Sequence, residues 1–124
     1  MADGASLHAG WLTKRAVRTA SKDNWKRRYV VLTAKALSYY ESERVAAAKG
    51  GKPKHTLPLS EATAVRACAI YGPFEIEVFF ASDVIFYATA DSAEEAATWI
   101  VSAGRAARVM AQSADALDSD PPSV

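Results

Sequence analysis

Cysteine is nearly absent from this sequence: Cys68 stands alone among 124 residues. No internal disulfide can form and a zinc site built on several thiolates is excluded, which fits a chain working in a reducing cytoplasm. Long apolar runs are missing too, and stretches such as Val84–Ala90 fall far short of the roughly 18 residues that a membrane helix needs. The opening Met1-Ala2-Asp3-Gly4 has no basic head followed by an apolar run, so no secretory leader is expected. Histidine is scarce, limited to His8 and His55. Neither these nor Cys68 has the spacing of a nucleophile–base pair or of a metal-ligand set, so no enzyme, metal or cofactor is expected. Gly50-Gly51-Lys52 lacks the strand-to-helix setting of a phosphate-gripping loop.

What is present suits one small folded domain. Apolar residues make up 50% of the chain; 26 of these are alanine, leaving 36 larger side chains for a core. Charged residues at 23% argue against wholesale disorder. The net charge of +1 conceals a strong asymmetry. Residues 1–54 hold 12 Lys/Arg against 4 Asp/Glu, and residues 55–124 hold 3 against 10. The densest basic stretch, Lys14 to Arg28, carries Lys14, Arg15, Arg18, Lys22, Lys26, Arg27 and Arg28 against Asp23 alone. A folded domain of this pattern is a dipole whose positive pole attracts anions.

Short runs of β-branched and aromatic residues predict about seven strands: Gly10–Arg15, Asn24–Thr33, Leu37–Glu41, Thr56–Leu59, Ala62–Ala69, Phe74–Phe80 and Val84–Ala90. Glu75 and Glu77 alternate with Phe74, Ile76 and Val78, the pattern of a strand buried on one face. The connection Ser42–Lys54 includes an alanine-rich stretch suited to a helical turn. The period then changes. Asp91 or Ser92 can cap a helix, with a glutamate three residues on, and Ala96, Trp99, Ile100, Ala103, Ala107 and Met110 form one apolar stripe. Gly104 predicts fraying of the last turns, and residues 112–124 read as a disordered tail. The sheet must bury one face, and curling into a small barrel or sandwich plugged by the helix achieves this.

The order of landmarks resembles the pleckstrin-homology (PH) domain family. These landmarks are Gly10-Trp11-Leu12-Thr13-Lys14, Trp25-Lys26-Arg27-Arg28-Tyr29-Val30-Val31-Leu32, Leu37-Ser38-Tyr39-Tyr40, Leu57-Pro58-Leu59, Phe86-Tyr87-Ala88 and the helical Trp99. The resemblance covers about residues 9–110. It implies a mainly β fold: seven antiparallel strands in two orthogonal sheets, a barrel or sandwich capped by one C-terminal helix. A domain is expected over residues 9–111, with tails at 1–8 and 112–124. The resemblance also implies phosphoinositide headgroup binding at the open end, through Lys14 on the first strand and Lys26 and Arg28 on the second. Tyr39 occupies a third-strand position that often joins the site in members preferring 3-phosphorylated lipids.

Parity gathers the same residues without the family. Lys26, Arg28, Val30 and Leu32 share one strand face, and the last two must point into a core. Lys14 shares parity with Leu12, while Arg27 falls on the opposite face. A turn centred on Thr33–Ala36 sets Tyr39 across from Val30, diagonal to Arg28. The loop 16–23 hangs over this rim with Arg18 and Lys22, next to Arg15. Lys49, Lys52 and Lys54 return to the same end and read as solvated. Diffuse attraction of about 1 kcal/mol per basic residue is non-specific. Fixed charge-assisted bonds of about 1–3 kcal/mol each are what select one headgroup.

The expected role is therefore a monomeric cytoplasmic module of eukaryotic signalling, recruited reversibly to anionic membranes by phosphoinositides. The alternative is a protein-binding adaptor with weak or no specific lipid binding, which the acids Asp23 and Asp83 near the rim would favour. Nucleic acid is not an expected partner, because the aromatics fall on core positions rather than on a stacking platform.

Overall fold

The computed structural model describes residues 6–15, 25–68, 74–81 and 84–118. Seven antiparallel strands form: β1 (Ser6–Arg15), β2 (Trp25–Thr33), β3 (Ala36–Tyr40), β4 (His55–Pro58), β5 (Ala62–Cys68), β6 (Glu75–Phe80) and β7 (Ile85–Thr89). A short helix α1 (Glu43–Ala47) interrupts the β3–β4 connection, a single 3-10 turn spans Leu59–Glu61, and α2 (Ala93–Asp118) ends the fold. The mainly β class with one C-terminal helix is the expected one. Its two expected sheets are halves of one hydrogen-bonded sheet, in the order β4-β3-β2-β1-β7-β6-β5. The join is narrow: β1 pairs with β2 from Ser6 to Arg15 but meets β7 only at Thr13–Thr89 and Lys14–Ala88.

The period of two assigns the interior. Leu12, Val30, Leu32, Leu37, Leu57, Ile76, Val78, Phe80, Phe86 and Ala88 point inward and are buried. Leu59, on the 3-10 turn, joins them. The helix supplies Ala96, Trp99, Ala103 and Ala106 to the same core. Ala106 takes the deep position expected of Ala107, which is only partly buried.

The outer face of β6 departs from the alternation read in the sequence. Glu75 and Glu77 are buried, 1% and 5% exposed, so this strand is covered on both faces. Long neighbours close over it: the Tyr87 hydroxyl donates to Glu75 Oε1 at 2.7 Å, and Arg66 Nε donates to Glu77 Oε1 at 2.9 Å. Arg66 also lies over the Phe79 ring, and Trp25 meets Tyr87 edge-on. Such donors make a buried carboxylate tolerable, because each replaces a lost water.

The ends of the fold differ from expectation in two ways. His8, assigned to a tail ending at residue 8, pairs with Leu32 inside β1. Its Nε2 lies 2.8 Å from Glu95 Oε2 on α2, and its ring stands edge-on to Trp99, with centroids 4.5 Å apart. Gly10 lets α2 approach β1 here, since an added Cβ would sit 3.3 Å from Glu95 Oε2. Ser92 Oγ accepts the Glu95 N–H at 3.1 Å, the helix start read from the sequence, but the Glu95 carboxylate is spent on His8. At the other end α2 continues through Gly104 to Asp118, into the segment expected to be tail. Ala111, Ala114, Ala116 and Leu117 have the propensity to sustain it.

Candidate functional site

The β1–β2 ladder sets Lys14 opposite Lys26 and Leu12 opposite Arg28, and the β2–β3 ladder sets Val30 opposite Tyr39. Lys14 therefore follows Leu12 inward, at the end of β1 where the core stops. It is buried, only 5% exposed. Its Nζ sits 4.3 Å from the centroid of the Tyr39 ring, a contact in which the ring's π face stands in for part of the lost hydration. Tyr39 is itself half-buried against the core, 6.3 Å from the Phe86 ring and 6.0 Å from that of His55.

The electrostatics follow from this packing. Burial first, then repulsion from Arg28, holds the Lys14 ammonium down to about 8 from its usual 10.5. Burial pushes the Tyr39 phenol up, with Arg28 opposing. Arg28 is partly exposed, and its Nη1 donates to the Arg27 carbonyl at 3.2 Å. Among the described residues neither Lys14 nor Arg28 meets a carboxylate: the ion pairs are His8–Glu95, Arg27–Asp91 and Arg66–Glu77. Two adjoining cations and a phenol at one rim, with no acid between them among the described residues, can hold a polyanion.

Of the site residues read from the sequence, the structure gathers Lys14, Arg28 and Tyr39. Lys26 has the right parity and lies across from Lys14, but its side chain is exposed. Arg15 is half-buried and, by the pleat, on the other face of β1, level with Trp25. Arg18 and Lys22 lie outside the described residues, as do Asp23 and Asp83. Lys49, Lys52 and Lys54 are exposed, and the Lys54 N–H donates to the Tyr39 carbonyl at 2.8 Å. Arg27 points to the opposite face, where its guanidinium grips Asp91 through two bonds of 3.1 and 2.8 Å. That pairing holds the Arg27 proton more firmly than usual and keeps the Asp91 carboxyl below its usual range. His55 was not legible as a rim residue; the β3–β4 pairing of Tyr39 with His55 places it there, and nothing local in the sequence signals that register. Among the described residues no three His, Cys, Asp or Glu side chains gather as a metal site would require.

Comparison with known proteins gives a consistent result. The family model of the PH domain matches residues 6–107. The chain is 29% identical over 101 residues to "Pleckstrin homology domain-containing protein 1" of Arabidopsis thaliana, covering 78% of this chain and 66% of the relative. It thus spans just under two thirds of that relative's length. The crystal structure of the C-terminal PH domain of pleckstrin in complex with D-myo-Ins(1,2,3,5,6)P5 superposes with a TM-score of 0.69 at 25% identity, over 85% of this chain and 98% of that one. The PH domain of human oxysterol binding protein-related protein 11 superposes with a TM-score of 0.73 at 22% identity, over 94% and 92% of the two chains.

Proposed function

We propose that this chain, which belongs to the PH domain family, holds an inositol phosphate headgroup at the open end of its barrel and so docks reversibly on phosphoinositide membranes. One observation carries the reading: Lys14 is buried beside a second cation, Arg28, and the described residues offer it no carboxylate. A buried unpaired ammonium is costly, and a polyphosphate entering the rim would supply the missing counter-charge. The pleckstrin domain solved with an inositol pentakisphosphate supports the choice of ligand class. In this reading Lys14, Arg28 and Tyr39 are the fixed contacts, with Lys26 beside them. Arg15 and the loop residues Arg18 and Lys22 add diffuse attraction. The family is generally a non-catalytic module, and the site's chemistry is recognition by charge and hydrogen bonding.

No helix among the described residues is long and apolar enough to cross a membrane, so attachment in this reading is through the headgroup and the basic surface. The test is a titration of the chain with soluble inositol polyphosphates, together with flotation on vesicles that contain single phosphoinositides or phosphatidylserine at physiological salt. Saturable headgroup binding and a preference for at least one phosphoinositide are expected. Arg28→Ala should lower affinity roughly 10–100-fold, the equivalent of one or two charge-assisted bonds. Equal binding to phosphatidylserine vesicles, or an unaffected Arg28→Ala variant, would remove the site.

A further inference from the structure

A second surface lies at the opposite pole. Among the described residues four large apolar side chains are exposed, and three of them, Leu7 (54%), Val101 (60%) and Val109 (53%), line a single groove of about 300 Å³. Ala34, at the β2–β3 turn, forms another part of its wall, and Arg105 lies within it. Val101, Arg105 and Val109 recur every four residues on α2, a line about 12 Å long on the helix surface. Scattered exposed aliphatics are ordinary, whereas here three converge on one concave surface. Arg105 is exposed, and the ion pairs of the described residues do not include it. The groove is thus aliphatic at both ends with an uncompensated guanidinium between them.

The geometry points to a protein partner: an amphipathic helix that seats two aliphatic side chains on Val101 and Val109 and sets a carboxylate against Arg105. Charge complementarity selects this occupant. A second copy of the chain, packed helix against helix about a two-fold axis, would bring Arg105 onto its own symmetry mate. The groove is also far from the headgroup rim. Leu7 and Lys14 are seven residues apart on β1, about 23 Å along an extended strand. Both ends can be occupied together, and this docking reading stands whether or not the rim binds lipid.

The probe is an alanine-rich helical peptide of about 16 residues carrying Leu, Glu and Leu at i, i+4 and i+8, labelled for fluorescence anisotropy against the full chain. Saturable binding is expected, unchanged by saturating inositol hexakisphosphate. Val101→Ser with Val109→Ser should weaken it roughly tenfold or more. Arg105→Glu should abolish it and restore binding to a peptide with Lys in place of Glu. All three side chains are exposed, so unchanged thermal unfolding will confirm that the variants fold. No saturation by about 1 mM peptide, or indifference to these substitutions, overturns the proposal. A dimer in sedimentation that Val101→Ser dissolves would assign the groove to a second copy instead. Adsorption to phosphatidylcholine vesicles that the same change removes would assign it to lipid.

Discussion

Replacing Lys14 by methionine should make the protein more stable while destroying its headgroup site. The ammonium is held near 8 instead of 10.5, by burial first and by Arg28 second. That difference corresponds to about 3 kcal/mol by which folding disfavours the charged lysine. Methionine keeps the unbranched length and the contact with the Tyr39 ring without the charge. Below pH 8 Lys14 is charged in both folded and unfolded chains, and the full cost is present. As pH rises from 8 to 10.5 the folded chain releases a proton that the unfolded chain retains, so wild-type stability climbs and the cost disappears. Tyr39, whose phenol is pushed up, acts in the opposite sense above its usual 10, so measurements belong at or below that pH. Urea unfolding followed by tryptophan fluorescence at pH 7, 8.5 and 9.5 should show Lys14→Met ahead by about 2–3 kcal/mol at neutral pH. For a domain of this size that is roughly 10 °C or more in Tm. The gap should narrow steadily toward pH 9.5. A variant no more stable than wild type, or a gap independent of pH, would refute the claim that Lys14 is a buried uncompensated cation.

Headgroup affinity should fall as pH rises above about 8, approaching roughly tenfold per pH unit, because binding requires the Lys14 proton that the free site is losing; calorimetry from pH 7 to 9.5 reads this, and a flat profile would show that Lys14 takes no part. Arg27→Ala should leave headgroup affinity within about twofold of wild type, since its guanidinium is turned away and engaged by Asp91; a loss equal to that of Arg28→Ala in vesicle flotation would mean a diffuse charged surface. Gly51→Ala should destabilise by about 1–3 kcal/mol in urea, because an added Cβ would run into the Val45 carbonyl. Gly50→Ala should cost about 1 kcal/mol for its left-handed backbone, φ +81°, and two harmless substitutions would show the α1–β4 turn to be adjustable.

Much of this protein is written in local pattern. Alternation along Val30, Leu32, Leu37, Ile76 and Val78 specifies which faces are buried, because a pleated strand has only two sides. The β2–β3 register, and with it the place of Tyr39 across from Val30, follows from the shortness of the turn at residues 33–36. Those two facts bring Arg28 and Tyr39 to one rim, and the β1–β2 ladder adds Lys14 to them. Long-range partners are a different matter, since they depend on how the sheet curls and where the helix crosses it. His8 reads as tail because the group that holds it, Glu95, is 87 residues away and Gly10 gives no sign of the crossing it permits. Glu75 and Glu77 read as solvent-facing because their cover comes from Tyr87 and Arg66 on neighbouring strands. Parity assigns Lys14 and Lys26 to the same face, yet one is buried and the other exposed; β7 flanks Lys14 on the side away from β2, whereas among the described residues no strand pairs with Lys26 on the side away from β1. Direction is a property of the strand and can be read from residue order. Depth is a property of what packs against the strand, and only the folded chain contains it.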